Sequence, residues 1–209
     1  MLVRAPSAFR FEALSAFGVA YVVASDGTQL ATYLPRDGVV YRGPATVATI
    51  GAATGVLAGA PEVVALLLGS PPVGRIDPRS ATVSATDPGR SAGDAATPDA
   101  AFVLRAPDDG RPVEVGFGLA PNGTLVPVSF ERVDPAAGGG LRARFGEFEI
   151  AGAVVMPRLV ELSTPGVDVT LRYTELDLNA SIADDRFTLA TPAGAREAPY
   201  VTAEDGPEP

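Results

Sequence analysis

The chain contains no cysteine, no histidine and no lysine. Without cysteine it forms no disulfides, so cysteine usage does not identify its redox compartment. Thiol nucleophiles and most zinc, copper and iron–sulfur sites are excluded with cysteine and histidine. With lysine also missing, Asp and Glu remain as the common general bases. All 16 basic residues are arginines, set against 25 acidic ones, and the formal net charge is -9. Nucleic-acid binding requires a basic footprint, and none is visible. An anionic membrane surface would repel most of such a chain. Long apolar runs are also missing. The longest, Val63 to Leu68, is far too short to cross a bilayer. The opening MLVRAPSAFRFEAL has neither an apolar h-region nor a cleavage site.

What remains is suited to a sheet-rich globule. Hydrophobic residues make up 46% of the 209 residues, enough for a sizeable core. The 23 glycines and 20 prolines favour many short elements joined by turns. We therefore expect one domain over residues 1–199, followed by a disordered acidic tail over 200–209.

Residues 8 to 43 read as a four-strand antiparallel meander. Phe9 and Phe11 alternate with Arg10 and Glu12, and Asp26-Gly27 between apolar runs is a hairpin signal. Arg36-Asp37-Gly38 marks a second turn. Two helices are expected next. One spans 45–54, with Pro44 near its start and Gly55 as its stop; the other spans 61–69. The second, PEVVALLLG, is apolar nearly all round, as expected of a helix that is buried or covers an apolar surface. Residues 85–99 read as a flexible loop, and Ile76 to Ser84 as room for one short strand. From Ala100 strand patterns continue to a last short strand at Phe187–Leu189, with a hairpin at Asn122-Gly123 and a flexible connection at 134–140. Leu141, Ala143 and Phe145 share one parity while Phe148 and Ile150 take the other, which predicts a β-bulge at Gly146. The expected fold is mainly β: an antiparallel, strongly curved, unclosed β-barrel of about 10–12 strands. The two short helices would cover its concave apolar face.

Little in the chain suggests chemistry. Asp108-Asp109 and Asp184-Asp185 read as turns, because adjacent loop carboxylates do not face each other across a substrate. No Asp-x-Asp-x-Asp-Gly calcium loop is present, and Gly138-Gly139-Gly140 lacks the context of a phosphate loop. We expect no catalytic residues, metal or cofactor. The remaining feature is one apolar parity shared by many strands. The candidate ligand-contacting residues are Phe9, Phe11, Tyr21, Leu30, Val115, Phe117, Val128, Phe130, Leu171 and Tyr173, with Leu66 and Leu67 from the apolar helix. A packed core and the wall of a cavity both fit this pattern.

Two stretches carry a family resemblance. The run MPRLVELSTPGVDVTLRYTELDLNASIADDRFTLATPAG resembles the end of the periplasmic lipoprotein carrier and outer-membrane lipoprotein receptor superfamily (LolA/LolB-like). The matching residues are Pro157, Leu171, Tyr173, Leu178, Asn179, Phe187, Leu189, Pro192 and Gly194. APSAFRFEAL and SDGTQLATYLPRDGVVYRG, followed by helices ending ALLLG, resemble envelope lipoproteins of the same type. The resemblance implies an unclosed barrel with helices over an apolar cavity that holds acyl chains of lipids or lipoproteins. It implies a place in the periplasm or on the periplasmic face of the outer membrane, with envelope proteins as further partners. It also implies a family start upstream of Met1: a signal sequence, then a first helix and strand. The carrier's basic cavity-mouth residue and the receptor's protruding loop with an exposed large apolar residue have no recognisable counterpart in the sequence. A structural or interaction domain of the same fold with a filled core is the alternative, and a carboxylate enzyme is a third reading.

Overall fold

The computed structural model describes residues 1–74, 76–86, 99–134 and 139–200. The fold is mainly β, with 51% of the described residues in strands and 11% in helices. In chain order the strands are β1 (Leu2–Arg4), β2 (Ala8–Ser15), β3 (Gly18–Ser25), β4 (Gln29–Leu34) and β5 (Val39–Pro44). Helices α1 (Val47–Thr54) and α2 (Ala60–Leu67) follow. Then come β6 (Thr82–Ala85), β7 (Phe102–Asp108), β8 (Arg111–Leu119), β9 (Leu125–Asp134), β10 (Gly139–Ala151), β11 (Val154–Thr164), β12 (Val167–Arg172) and β13 (Arg196–Pro199). The expected unclosed, antiparallel architecture with two short helices is present, and its strands are shared between two sheets. One has the order β1-β2-β3-β4-β5-β13, the other β12-β11-β10-β9-β8-β7-β6. Each sheet ends in two edge strands, so neither closes on itself. Among the described residues all pairings are antiparallel except β5 with β13, which is parallel.

The chain divides into two compact units, 1–64 with 180–209 and 65–179. The first unit is therefore discontinuous in sequence. Its sheet is covered on both sides. On one side lie Phe9, Val23, Leu30 and Val39, none of which retains exposure, together with the buried Ile50 of α1. The N-terminus of α1 is fixed by a capping box in which Thr46 accepts from the Thr49 amide and the Thr49 hydroxyl accepts in turn from the Thr46 amide. Thr46 is therefore the N-cap, and the helix begins at Val47. Pro44 ends β5 and is not part of the helix's first turn.

On the other side Val22, Ala24, Ala31 and Val40 pack with Leu189 from the returning C-terminal segment. That segment has little regular structure, and arginines hold its backbone. Arg10 Nη1 donates to the carbonyls of Arg186 and Thr188 at 3.4 and 3.2 Å, and Arg42 Nη2 donates to the Leu189 carbonyl at 2.6 Å. Arg4 reaches the Ile182 carbonyl and Asp184 and lies 4.5 Å above the centre of the Phe187 ring. Phe187 belongs to a single 3-10 turn, Asp184–Phe187, instead of the expected strand at Phe187–Leu189. Burial of Phe187 and Leu189 beside the sheet is met without a ladder, because arginine side chains take the carbonyls. The last strand, β13, comes later, and its sequence REAP carries no apolar alternation. Tyr200, expected at the start of the acidic tail, is packed. Its hydroxyl bonds that of Thr32 and its ring lies 5.8 Å from that of Tyr41. Of the segments expected to be flexible, 85–99, 134–140 and 200–209, residues 87–98, 135–138 and 201–209 lie outside the described residues, while Ala85 pairs with Phe102 and Asp134 with Gly139 in the second sheet.

Removing the ring of Phe187 leaves a void under the strap and takes away the ring face over which Arg4 lies. Phe187→Ala should lower unfolding free energy by about 3–5 kcal/mol, read from the midpoint of a urea titration at unchanged slope.

Candidate functional site

The continuous apolar surface in the second unit is built by strand register. Val83 faces Leu104, which faces Val115, then Phe130, Ala143, Leu162 and Val169. One apolar row thus crosses all seven strands, because side chains opposite one another in register share a face. Its centre is closed: Val115 and Phe130 are each 1% exposed, and the neighbouring Phe145 is fully buried. Its flanks are open. Val83 is 68% exposed on the β6 side, and Val169 and Leu171 on β12 are half-buried. One residue pair along, Arg132 opposite Leu141 is buried and partnered on the same side.

Two strands on either side of β9 keep this side apolar by changing phase. In β8 the register with β9 slips between Gly116 and Phe117, so Gly118 pairs with Val126. Beyond the slip Gly118 and Ala120 are buried, and Leu119 points outward at 56% exposure. Sequence alternation places Phe117 and Leu119 with Val115; the bulge leaves Phe117 half-buried and expels Leu119. In β10 the expected bulge at Gly146 is not a bulge. The register with β11 runs unbroken from Arg142↔Ser163 to Ala151↔Val154. The phase change is carried by Glu147, whose φ of 53° is left-handed. Phe148 then packs against Ala120, Val126 and Val128.

The opposite side of the sheet is polar. Thr82, Arg105, Glu114, Glu131, Arg142, Ser163 and Asp168 form a cross-strand row. Glu114 and Glu131 face each other directly, a repulsive pairing. Each is held from its other flank: Arg105 Nε lies 2.7 Å from Glu114, and Arg142 Nε lies 3.0 Å from Glu131. Two shallow grooves, of about 370 and 570 Å³, lie on this polar side and share Glu114 and Glu131. Of the apolar candidates, Phe130 alone lines either of these two grooves.

The sequence-derived candidates fall into two sets. Phe9, Phe11, Tyr21 and Leu30 belong to the first unit; Leu66, Leu67, Val115, Phe117, Val128, Phe130, Leu171 and Tyr173 belong to the second. In the first set Phe9 and Leu30 are fully buried, and the rings of Phe9, Phe11 and Tyr21 follow one another at 6.0 and 6.5 Å. The Tyr21 hydroxyl donates to the Ala53 carbonyl in the last turn of α1. In the second set the Tyr173 hydroxyl donates to the Leu67 carbonyl at the end of α2, at 2.8 Å. Each tyrosine thus ties a helix end by satisfying a carbonyl that the helix itself cannot. Burial pushes both phenols above their ordinary range. After α2, Gly69 turns the chain at a φ of +70°, where a Cβ would lie 2.3 Å from the Pro157 ring.

Neither carboxylate pair is arranged for catalysis. Asp108 is buried and accepts from the Gly74 amide at 3.1 Å, while Asp109 and Gly110 take left-handed conformations in the β7–β8 turn. Asp184 pairs with Arg4 and opens the 3-10 turn with Asp185. Among the described residues no group of carboxylates is placed to hold a metal ion.

Sequence reasoning missed the tip of the β2–β3 hairpin. Phe17 there is 100% exposed, flanked by exposed Leu14 and Val19. It stands in a turn outside any alternation, and its one signal is a large aromatic between Ala16 and Gly18. Comparison of the chain with family models, curated proteins and solved structures gives no match.

Tyr200 supplies a pH test. Burial is the main force pushing its phenol up from 10.0 to about 12, so the folded state holds this proton more tightly than the unfolded chain. Stability from this group is full below pH 10 and is lost as pH rises through about 12. Denaturation midpoints across alkaline pH should fall over that window, and the fall should be shallower in Tyr200→Phe.

Proposed function

We propose that the chain is a non-catalytic lipid- or lipoprotein-binding module of the bacterial cell envelope that holds acyl chains on apolar sheet surface. The observation carrying this reading is the apolar row across β6–β12, whose flanks at Val83, Val169 and Leu171 remain open to an added apolar chain. Each methylene removed from water is worth about 0.8 kcal/mol, so roughly ten carbons lying along such a row offset ordinary association costs. The Phe17 hairpin adds support. The receptor-like members of the superfamily resembled by this sequence carry an exposed large apolar residue on a protruding loop. The periplasmic or outer-membrane location rests on that resemblance.

A specific observation favours a second reading. The centre of the row is already closed by the chain's own side chains, with Val115, Phe130 and Phe145 at 0–1% exposure. A structural or protein-interaction domain of the same fold would look the same there.

Displacement of a fluorescent fatty acid, with native mass spectrometry of the purified chain, separates the two. The lipid-binding reading expects a stoichiometric complex that weakens about tenfold or more in Leu171→Asp, since a charge is costly to desolvate against an acyl chain. Leu171→Ser serves as the milder partner in case the charge impairs folding. A chain that binds no acyl probe while fully folded is the filled-core domain.

A further inference from the structure

The antiparallel order of the second sheet brings two hairpins to one end. β8 runs out to Leu119 and β9 returns from Leu125; β10 runs out to Ala151 and β11 returns from Val154. β9 and β10 are neighbours, and their own connection lies at the opposite end, where Asp134 pairs with Gly139. The two tips therefore stand side by side. They carry Leu119, Leu125, Ile150 and Val154 at 56, 51, 50 and 43% exposure. These are strand-end side chains, held by the ladder on rigid backbone. Leu119 faces outward because the Gly116/Phe117 bulge turns it there; without the slip it would share the buried parity of Val115.

Charge separates this end from the rest of the molecule. No charged residue occurs from Phe117 to Val128 or from Ile150 to Pro157. The first charges behind the second tip, Glu149 and Arg158, are paired with each other. In a chain of net charge -9 the two tips present aliphatic side chains and uncharged turns. A basic protein partner would find nothing to pair with here, and the chain's net charge of -9 disfavours an anionic surface. The surface these tips complement is electrically neutral outside and apolar just beneath.

We propose that the paired β8–β9 and β10–β11 tips are a docking surface that meets a zwitterionic lipid bilayer end-on, with Leu119, Leu125 and Val154 from one face of the sheet and Ile150 from the other entering the interface. The tips are a contact separate from the Phe17 hairpin and from acyl binding on the sheet, so this proposal stands or falls apart from those readings.

The test is flotation of the full chain with phosphatidylcholine vesicles, begun in a Phe17→Ser background so that remaining association comes from elsewhere. Association is expected to persist in Phe17→Ser. It should drop by about tenfold or more when Leu119→Asp and Ile150→Asp are added, since exposed aliphatics each gain free energy on leaving water. Leu119→Ser with Ile150→Ser should give an intermediate loss, and circular dichroism should show all variants folded, as these side chains are not core. Phosphatidylglycerol vesicles should bind the chain more weakly than phosphatidylcholine. Three results overturn the proposal: no association beyond Phe17→Ser, association unchanged by the tip substitutions, or a solution dimer that the tip substitutions dissociate. The last would make the tips a self-association surface.

Discussion

Each helix is fastened by a tyrosine hydroxyl, and much of the architecture follows from these two bonds. A helix end exposes carbonyls that have no partner within the helix. Tyr21 supplies a donor to Ala53 and Tyr173 supplies one to Leu67. Both tyrosines continue the apolar parity of a strand, so the bond brings the helix end to the apolar side of the sheet. The apolar character of PEVVALLLG is tolerated because Val63, Val64, Leu66 and Leu67 are buried. Among the described residues no buried side-chain polar atom is left without a partner, so the apolar surfaces are assembled without stranded donors.

Arginine does the corresponding work for irregular backbone. A chain without lysine must use guanidinium groups wherever a cation is needed, and the planar, multi-donor fork suits carbonyl oxygens that no ladder accepts. Arg4, Arg10 and Arg42 hold the strap over one side of the first sheet, while Arg158 binds the Tyr173 and Thr174 carbonyls at 2.8 Å. Exposed arginine–carboxylate pairs such as Arg105–Glu114 add little stability by themselves. Their effect on the polar side of the second sheet is to set register, flanking two glutamates that would otherwise repel across β8 and β9.

Local chemistry is legible in the sequence wherever a turn or a period dictates it. Asp26-Gly27 and Asn122-Gly123 make the hairpins they signal, and both helices lie within two residues of their expected bounds. What escapes is non-local. β13 has no alternation because it is recruited by β5 after the strap is in place. Phe187 lies in a 3-10 turn because its carbonyl environment is set by arginines some 180 residues earlier in the chain. The phase change in β10 is visible in its alternation, but its mechanism is not. The strand absorbs the change through Glu147, and the true register slip occurs two strands away in β8. Parity marks the candidate residues as apolar-facing, yet parity does not distinguish a wall from a filling. Val115 and Phe130 at the middle of the row and Val169 at its edge look alike in sequence and differ in exposure.

The discontinuity of the first unit also imposes an order on biosynthesis. Residues 65–179 are complete as a pairing network once β12 has left the ribosome, with every strand of that sheet adjacent in sequence to a partner. The first sheet is begun earlier yet must wait longer: β13 and the strap that covers Val22, Ala24 and Val40 are translated only after the whole of the second unit. Until then one side of a finished meander lies bare in the nascent chain. Long-range closure of this kind is slow and exposes apolar surface meanwhile. The meander β2–β5 is thus the part of the nascent protein left longest with an uncovered apolar side.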